Sequence, residues 1–309
     1  MKCLGWKFGR VIQAVCCLLL CALVGWVPSA SAAIIVDDSW ADGGRTNGAD
    51  PYDTDWWTST ATSAIEVSVG SLGLVTGSSG RGIHGTFAPQ SLDEGDSLKV
   101  TFAFTTPATV GNNLGAAFKV GLYDTLGDAG LAADLSASSG TPNPIYNPMP
   151  GYMMDFDVRT GTENIMFREK SPVPGSTGQL LGTTTGYANL AGGGDAYTIA
   201  ANTNYVGKWT ITRTALGLDL TGSLSDASGV LSTFTTSDAT PSVTTFDLLA
   251  FHVNANVFGS SNVVGANDNG IDFTNIRIEY CPAIPEPSTA ALVLMGMVSA
   301  WAVQRRRVS

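Results

Sequence analysis

The chain predicts an all-β fold, two antiparallel sheets packed face to face, and three observations predict it. Gly, Ser, Thr, Ala and Asn dominate residues 33–280, while Lys and Glu are scarce there. Short runs alternate apolar and polar residues and are bounded by Gly, Pro, Asn or Asp, the pattern of half-buried strands closed by turns. No stretch of this body carries apolar residues at helical spacing over a useful length. A body of roughly 250 residues is long enough for one large domain with a full hydrophobic core.

The elements follow in order. Ile34–Ser39 reads as a short first strand, and the Gly- and Asp-rich segment Ala41–Tyr52 as a loop. Ile65–Val69 alternates cleanly. Ser78–Gly85 reads as a loop, since Gly77, Gly80, Gly82 and Gly85 surround Arg81 and His84. Leu98–Thr105 (LKVTFAFT) is the clearest strand and Ala117–Tyr123 (AFKVGLY) the next. Thr141–Pro150 holds four prolines and must be an extended loop. Tyr152–Val158 and Ile165–Glu169 form a hairpin around Thr160-Gly161-Thr162. Ala196–Ala200, Lys208–Thr214, Leu216–Ser223 and Val230–Thr235 read as four more strands, and Phe246–Val253 and Ile271–Tyr280 close the domain. About a dozen strands at this spacing suit a sandwich.

Both ends of the chain differ from the body. Lys2, Lys7 and Arg10 precede the apolar stretch Val11–Val27, and Ala30-Ser31-Ala32 supplies small residues for signal peptidase. This is a secretory signal, helical in its apolar part, with cleavage expected before Ala33. At the other end stand Pro285-Glu286-Pro287, the uncharged run Ser288–Val303 and Arg305-Arg306-Arg307. A helix over those 16 residues spans about 24 Å. That is slightly short for a hydrocarbon core of about 30 Å, and bilayer thinning or snorkelling accommodates it. The arginines favour a cytoplasmic C-terminus and so an exported body. Neither proline can extend the helix, so the triplet is expected to stand as an accessible marker at the membrane face. This tail, residues 281–309, resembles the PEP-CTERM sorting signal of exported bacterial proteins. The resemblance implies processing by a membrane-embedded exosortase-like protease, and a cell-envelope, surface or extracellular-matrix destination.

Composition narrows the function. Four of five cysteines lie in the leader, so the body retains only Cys281 and has no internal disulfide. Residues 33–280 carry 10 cations against 25 carboxylates, a net charge of −15. Nucleic acid binding rests on phosphate neutralisation by Lys and Arg, and this balance argues against it.

The closing pattern, a turn through Asp272-Phe273-Thr274-Asn275 into Ile276-Arg277-Ile278-Glu279, resembles the end of concanavalin A-like jelly rolls, in which a late strand lies beside an early one. That resemblance implies a jelly-roll sandwich and a choice between carbohydrate binders and glycan-cleaving enzymes. Asp155 and Asp157 alternate on one strand face, about 7 Å apart, and paired carboxylates can perform glycosidic acid–base chemistry. Laminarinase-type glucanases of this fold carry Glu-x-Asp-x-Glu on one strand. The matching face here reads Met153, Asp155, Asp157, Arg159, with no Glu bracketing an Asp, and this counts against that activity. The two aspartates are instead expected to pair with Arg168 or Lys170 across the hairpin.

His84 and His252 are the only histidines and form no recognisable zinc pattern. Asn254, Asn256, Asn267, Asp268, Asn269 and Asp272 cluster before the last strand. Asp268 and Asp272 are the weak candidates for Ca²⁺, although such a cluster is also ordinary turn chemistry; no other cofactor is expected. Trp40, Tyr52, Trp56 and Trp57, with Arg81 and His84, are the candidate sugar-binding residues. Exposed aromatic faces can stack on sugar rings, but Trp56 and Trp57 can equally alternate in and out of a strand. The expected function is an exported, non-catalytic, lectin-like or adhesive polysaccharide binder. A glycan-active enzyme and a purely structural surface protein are the alternatives.

Overall fold

Strand Ser97–Thr105 shows how the sequence dictates the architecture. Leu98, Val100, Phe102 and Phe104 are buried and alternate with Lys99, Thr101, Ala103 and Thr105. One face therefore enters a core while the other meets solvent. The computed structural model describes residues 31–46, 51–60, 65–112, 117–136, 143–159, 164–170, 178–261, 263, 265 and 268–284. The leader and its cleavage site up to residue 30, the turn at Gly161, Asn267 and the sorting tail with Pro285–Pro287 and Arg305–Arg307 lie outside them. Among the described residues no helix is long and apolar enough to cross a membrane.

The unit Ala32–Pro282 holds fifteen strands. They are β1 (Ala33–Asp38), β2 (Trp56–Thr58), β3 (Ile65–Ser68), β4 (Ser71–Val75), β5 (Arg81–Ser91), β6 (Ser97–Thr105), β7 (Phe118–Tyr123) and β8 (Gly151–Phe156). Then come β9 (Ile165–Lys170), β10 (Tyr187–Gly193), β11 (Asn204–Thr214), β12 (Gly217–Asp226), β13 (Gly229–Asp238), β14 (Thr245–Val253) and β15 (Gly270–Cys281). Two 3-10 turns, Ala129–Leu131 and Pro144–Tyr146, are the only helical elements among the described residues. The first sheet runs β13-β12-β11-β6-β15-β4-β3, with β1 also on β15; the second runs β10-β9-β8-β7-β14-β5-β2. The last strand does lie beside the first, Arg277 opposite Asp37 and Ile276 opposite Asp38.

The core between the sheets is aromatic. Phe102 meets the rings of Phe118, Phe156 and Phe251 edge-on, with centroids 5.8, 6.3 and 5.3 Å away. Such edge-to-face pairs add about 0.5–1.5 kcal/mol each beyond their buried area.

Three readings of the sequence need correction. Ser78–Gly85 is a loop only in its first residues, because β5 starts at Arg81. Gly82 and Gly85 are strand glycines: a Cβ on Gly85 would sit 3.2 Å from the Trp56 ring and one on Gly82 would collide with Ser59 Oγ. Ala196–Ala200 is not a strand. Tyr197 and Ile199 alternate into the core without a ladder, and the Ile199 amide donates instead to Val158. The strand precedes it as β10, whose Gly192-Gly193 argued against one. A Cβ on Gly193 would come within 2.6 Å of the Phe234 ring, so the glycine admits β13. Trp56 and Trp57 do alternate on a strand, β2, while the short β4 had too little alternation to be read.

Candidate functional site

The outer face of the second sheet is where unusual chemistry collects. Strands β7 and β8 are buried along their whole length. Their inward residues Phe118, Val120, Leu122, Tyr152, Met154 and Phe156 join the core. Their outward residues are buried by something else. Pairing registers align the outward residues in rows across the sheet. One row reads Gly82, His252, Lys119, Asp155, Met166 over β5, β14, β7, β8 and β9. The next reads Trp57, His84, Ala250, Gly121, Met153, Arg168. The third reads Thr86, Leu248, Tyr123, Gly151, Lys170, Tyr187.

Loop segments lie over the second and third rows. Leu131, Tyr146, Met149, Leu180 and Leu181 from those loops pack on Tyr123, Met153, Leu248 and Ala250 as a separate apolar cluster. Polar pins hold the loops down. His84 Nε2 donates to the Leu131 carbonyl at 2.9 Å. Lys170 Nζ donates to the carbonyls of Asn147 and Met149, at 3.1 and 2.6 Å. The Tyr123 and Tyr187 hydroxyls bond each other at 2.6 Å, and the Tyr187 hydroxyl donates to Leu180. Burial holds the His84 pKa down at about 4 and pushes the Lys170 amine down to about 8.

The first row stays open at one end. A cavity of about 250 Å³ lies there, lined by Ser59, Thr60, Gly80, Gln179, Leu180, Leu181, Gly182, His252, Asn254 and Ala255. His252 is 4% exposed, and its Nδ1 has no hydrogen-bond partner. Burial first, then the charges of Lys119 and Arg81, push its pKa well below the ordinary histidine value, so the imidazole is neutral. Two glycines give the ring its place. A Cβ on Gly80 would approach Cε1 and Nε2 to 3.2 Å, and one on Gly82 would approach Cδ2 to 3.3 Å. Lys119 Nζ donates to the Leu181 carbonyl at 3.1 Å and to Asn254 Oδ1 at 3.2 Å. Both acceptors belong to cavity-lining residues, so the ammonium lies next to the cavity lining.

The residues singled out by sequence fall in different places. Asp155 is buried and bonded to Arg168 Nε at 2.8 Å, the pairing expected across the hairpin. Burial raises its pKa, while Arg168 and Lys119 oppose that rise. Asp157 is buried just past β8, its amide donating to the Asn164 carbonyl. Lys170 takes no part in that pairing, because its ammonium is used on loop carbonyls. Trp40 and Trp56 are fully buried and offer no ring face to a ligand. They pack at 6.3 Å around Asp38, which accepts from Trp40 N and Trp56 Nε1. Trp57 alternates to the outer face, where the Arg45 guanidinium lies 5.4 Å from its ring centroid. Tyr52 is 43% exposed, away from the residues that line the cavity. Arg81 is half-buried beside the cavity-lining Gly80, and His84 is a loop pin.

Of the two Ca²⁺ candidates, Asp268 is engaged within the fold and Asp272 is an exposed residue of β15. Asp268 accepts from Ser260 N and Oγ, and these bonds hold its pKa down. Asp272 faces Glu66 across Gly73, and burial with that like charge raises its pKa. Among the described residues no group of three His, Cys, Asp or Glu is placed to hold a metal ion.

Sequence reasoning missed Ser59, Thr60, Gln179 and Lys119. For Lys119 a signal existed, a lone lysine inside the otherwise apolar AFKVGLY. Ser59 and Thr60 share one loop and Gln179 sits on another, and only the folded sheet brings them together.

No protein-family model and no curated protein matches the chain. Solved structures show distant likenesses. Basic winged bean lectin with Tn-antigen has a TM-score of 0.45 and 12% identity, over 81% of this chain and 98% of that one. The endo-1,3-beta-glucanase of Streptomyces sioyaensis has a TM-score of 0.43 and 13% identity, over 82% and 98%. The exoplasmic/lumenal domain of VIP36, in its Ca²⁺/Man3GlcNAc-bound form, has a TM-score of 0.46 and 10% identity, over 78% and 90%.

Proposed function

We propose that this chain is an exported, non-catalytic carbohydrate-binding protein of the cell envelope or extracellular matrix, delivered by its N-terminal signal and its C-terminal PEP-CTERM-like tail. The observation that carries the binding half is the cavity on the second sheet. Its polar lining consists of neutral hydrogen-bonding groups, from Ser59, Thr60, Gln179, His252 and Asn254. Such groups, converging in a small concavity, match sugar hydroxyls. Cavities for drug-sized ligands run to roughly 300–1,000 Å³, and one of about 250 Å³ suits a single ring. The covering loops occupy the rest of the sheet face, so a chain end fits there and a through-running polysaccharide does not. Selection works by hydrogen bonding, since no aromatic residue lines this cavity.

Binding is favoured over hydrolysis because no carboxylate is among the described residues that line the cavity and Asp155 is tied to Arg168. The export half rests on Ala30-Ser31-Ala32 and on the ordered triplet, apolar run and arginines of residues 285–307. A glycan array probed with the full chain in mild detergent, with a reducing-end assay on the supernatant, tests the binding half. Binding without new reducing ends is expected. New reducing ends would replace the binder with an enzyme, and silence across the array would leave a structural surface protein.

A further inference from the structure

The electrostatics of the cavity do not match those of the domain around it. The body has a net charge of −15, yet among the described residues the cavity lining contains no carboxylate, and the Lys119 ammonium bonds two of its lining residues, Leu181 and Asn254. Lys119 is 3% exposed and makes no ion pair within 4 Å among the described residues. The carboxylate in its row, Asp155, is taken by Arg168 at 2.8 Å. Burying a cation against neutral acceptors alone is costly. An ammonium has three donors, and the Leu181 carbonyl and Asn254 account for two. A second cation lies close by. Arg81 follows the cavity-lining Gly80, donates to its carbonyl at 3.1 Å and likewise makes no ion pair among the described residues. Lys119 and Arg81 are the two charges felt by His252, so their fields converge on the cavity.

We infer that the cavity takes an acidic sugar, a terminal hexuronate whose carboxylate meets the free donor of Lys119 while its hydroxyls meet Ser59, Thr60, Gln179 and Asn254. This inference rests on the carbohydrate-binding reading and specifies its ligand. The acidic surface elsewhere repels a polyanion, and the cavity is then where the charge of such a chain is met. Lys119 has its pKa pushed down to about 8 by burial, which leaves the amine cationic at pH 7.

The test is calorimetric titration of the full chain in mild detergent with methyl glycosides of glucose, galactose and mannose, with the matching uronic acids, and with acetate. At least one uronate should bind about 10- to 100-fold tighter than its parent sugar, the worth of a hydrogen bond to a charged group. Lys119→Met should erase that margin. Arg81→Gln, at the rim, should narrow the margin and decides the matter if Lys119→Met unfolds. Equal binding of parent sugar and uronate would overturn the inference and leave the carbohydrate reading in place. Acetate binding as tightly as any uronate would keep the anion site and overturn the carbohydrate reading. No binding by any probe would overturn both.

Discussion

The two faces of the second sheet are both buried, and they are buried in opposite ways. Inward, Phe118, Val120, Tyr152, Phe156 and Phe251 join a core without charge. Outward, one residue along the same strands, come Lys119, Asp155, His84, His252 and Lys170, each 4% exposed or less. The inner face needs only shape. The outer face hides polar groups and satisfies most of them with loop carbonyls and one ion pair, while Nδ1 of His84 and of His252 has no partner among the described residues. A fold gains little from that second arrangement, since apolar residues of similar volume would stabilise it as well or better. The difference teaches that the inner face makes the fold and the outer face is shaped for something else, with the cavity at His252 as its opening.

The comparison can be broken first at the core. Phe102→Ala removes a ring that four other phenylalanines pack against and should cost about 3–5 kcal/mol in denaturant unfolding. A cost below about 1 kcal/mol would mean that the inner face is less closely packed than its ring contacts imply. Next comes the outer face. Asp155→Ala leaves Arg168 and Lys119 buried without their carboxylate and should cost about 3 kcal/mol. If Asp155→Ala is neutral, the outer row is not a coupled charge system.

A pH scan sharpens the contrast further. The His84 pKa is about 4 in the fold against 6.5 unfolded, so the unfolded state takes up its proton first as pH falls. His84 thus contributes full stability above pH 6.5 and loses it progressively towards pH 4, at up to about 1.4 kcal/mol per pH unit. His252 acts in the same direction. His84→Gln should flatten the unfolding free energy between pH 6.5 and 5 by about that slope, and an unchanged slope would show that His84 is not buried neutral. The smallest effect on stability is expected from Asn254→Ala, about 1 kcal/mol or less for one hydrogen bond at a cavity wall. Its effect should appear in sugar affinity instead.

The inner face was legible in the sequence because alternation records it. Leu98–Thr105 announces four core residues by period alone, and Lys208–Thr214 with Ile271–Tyr280 announce the strands that flank it. The outer face left almost no periodic trace. Covering loops bury both sides of β7 and β8, so Tyr152–Phe156 reads as a continuous apolar run interrupted by Asp155. Trp40 and Trp56 stood out as ligand-binding aromatics because a polar segment surrounds them, but Asp38 satisfies Trp56 Nε1 and draws both rings inward. Ser59, Gln179 and Asn254 lie more than a hundred residues apart at the extremes and converge only through the order of strands in the sheet. Glycines carried the opposite ambiguity: Gly80 and Gly82 marked a turn by composition, yet they leave room for a histidine from a strand almost 170 residues later.

The most direct test of the account is a backbone-amide NMR titration of the full chain, in mild detergent, with the tightest sugar from the panel. The account predicts shifts confined to Ser59, Thr60, Gly80, Gln179, His252, Asn254 and their neighbours, lost in Asn254→Ala. Shifts centred on the first sheet's solvent face, on Tyr52, or nowhere would contradict it.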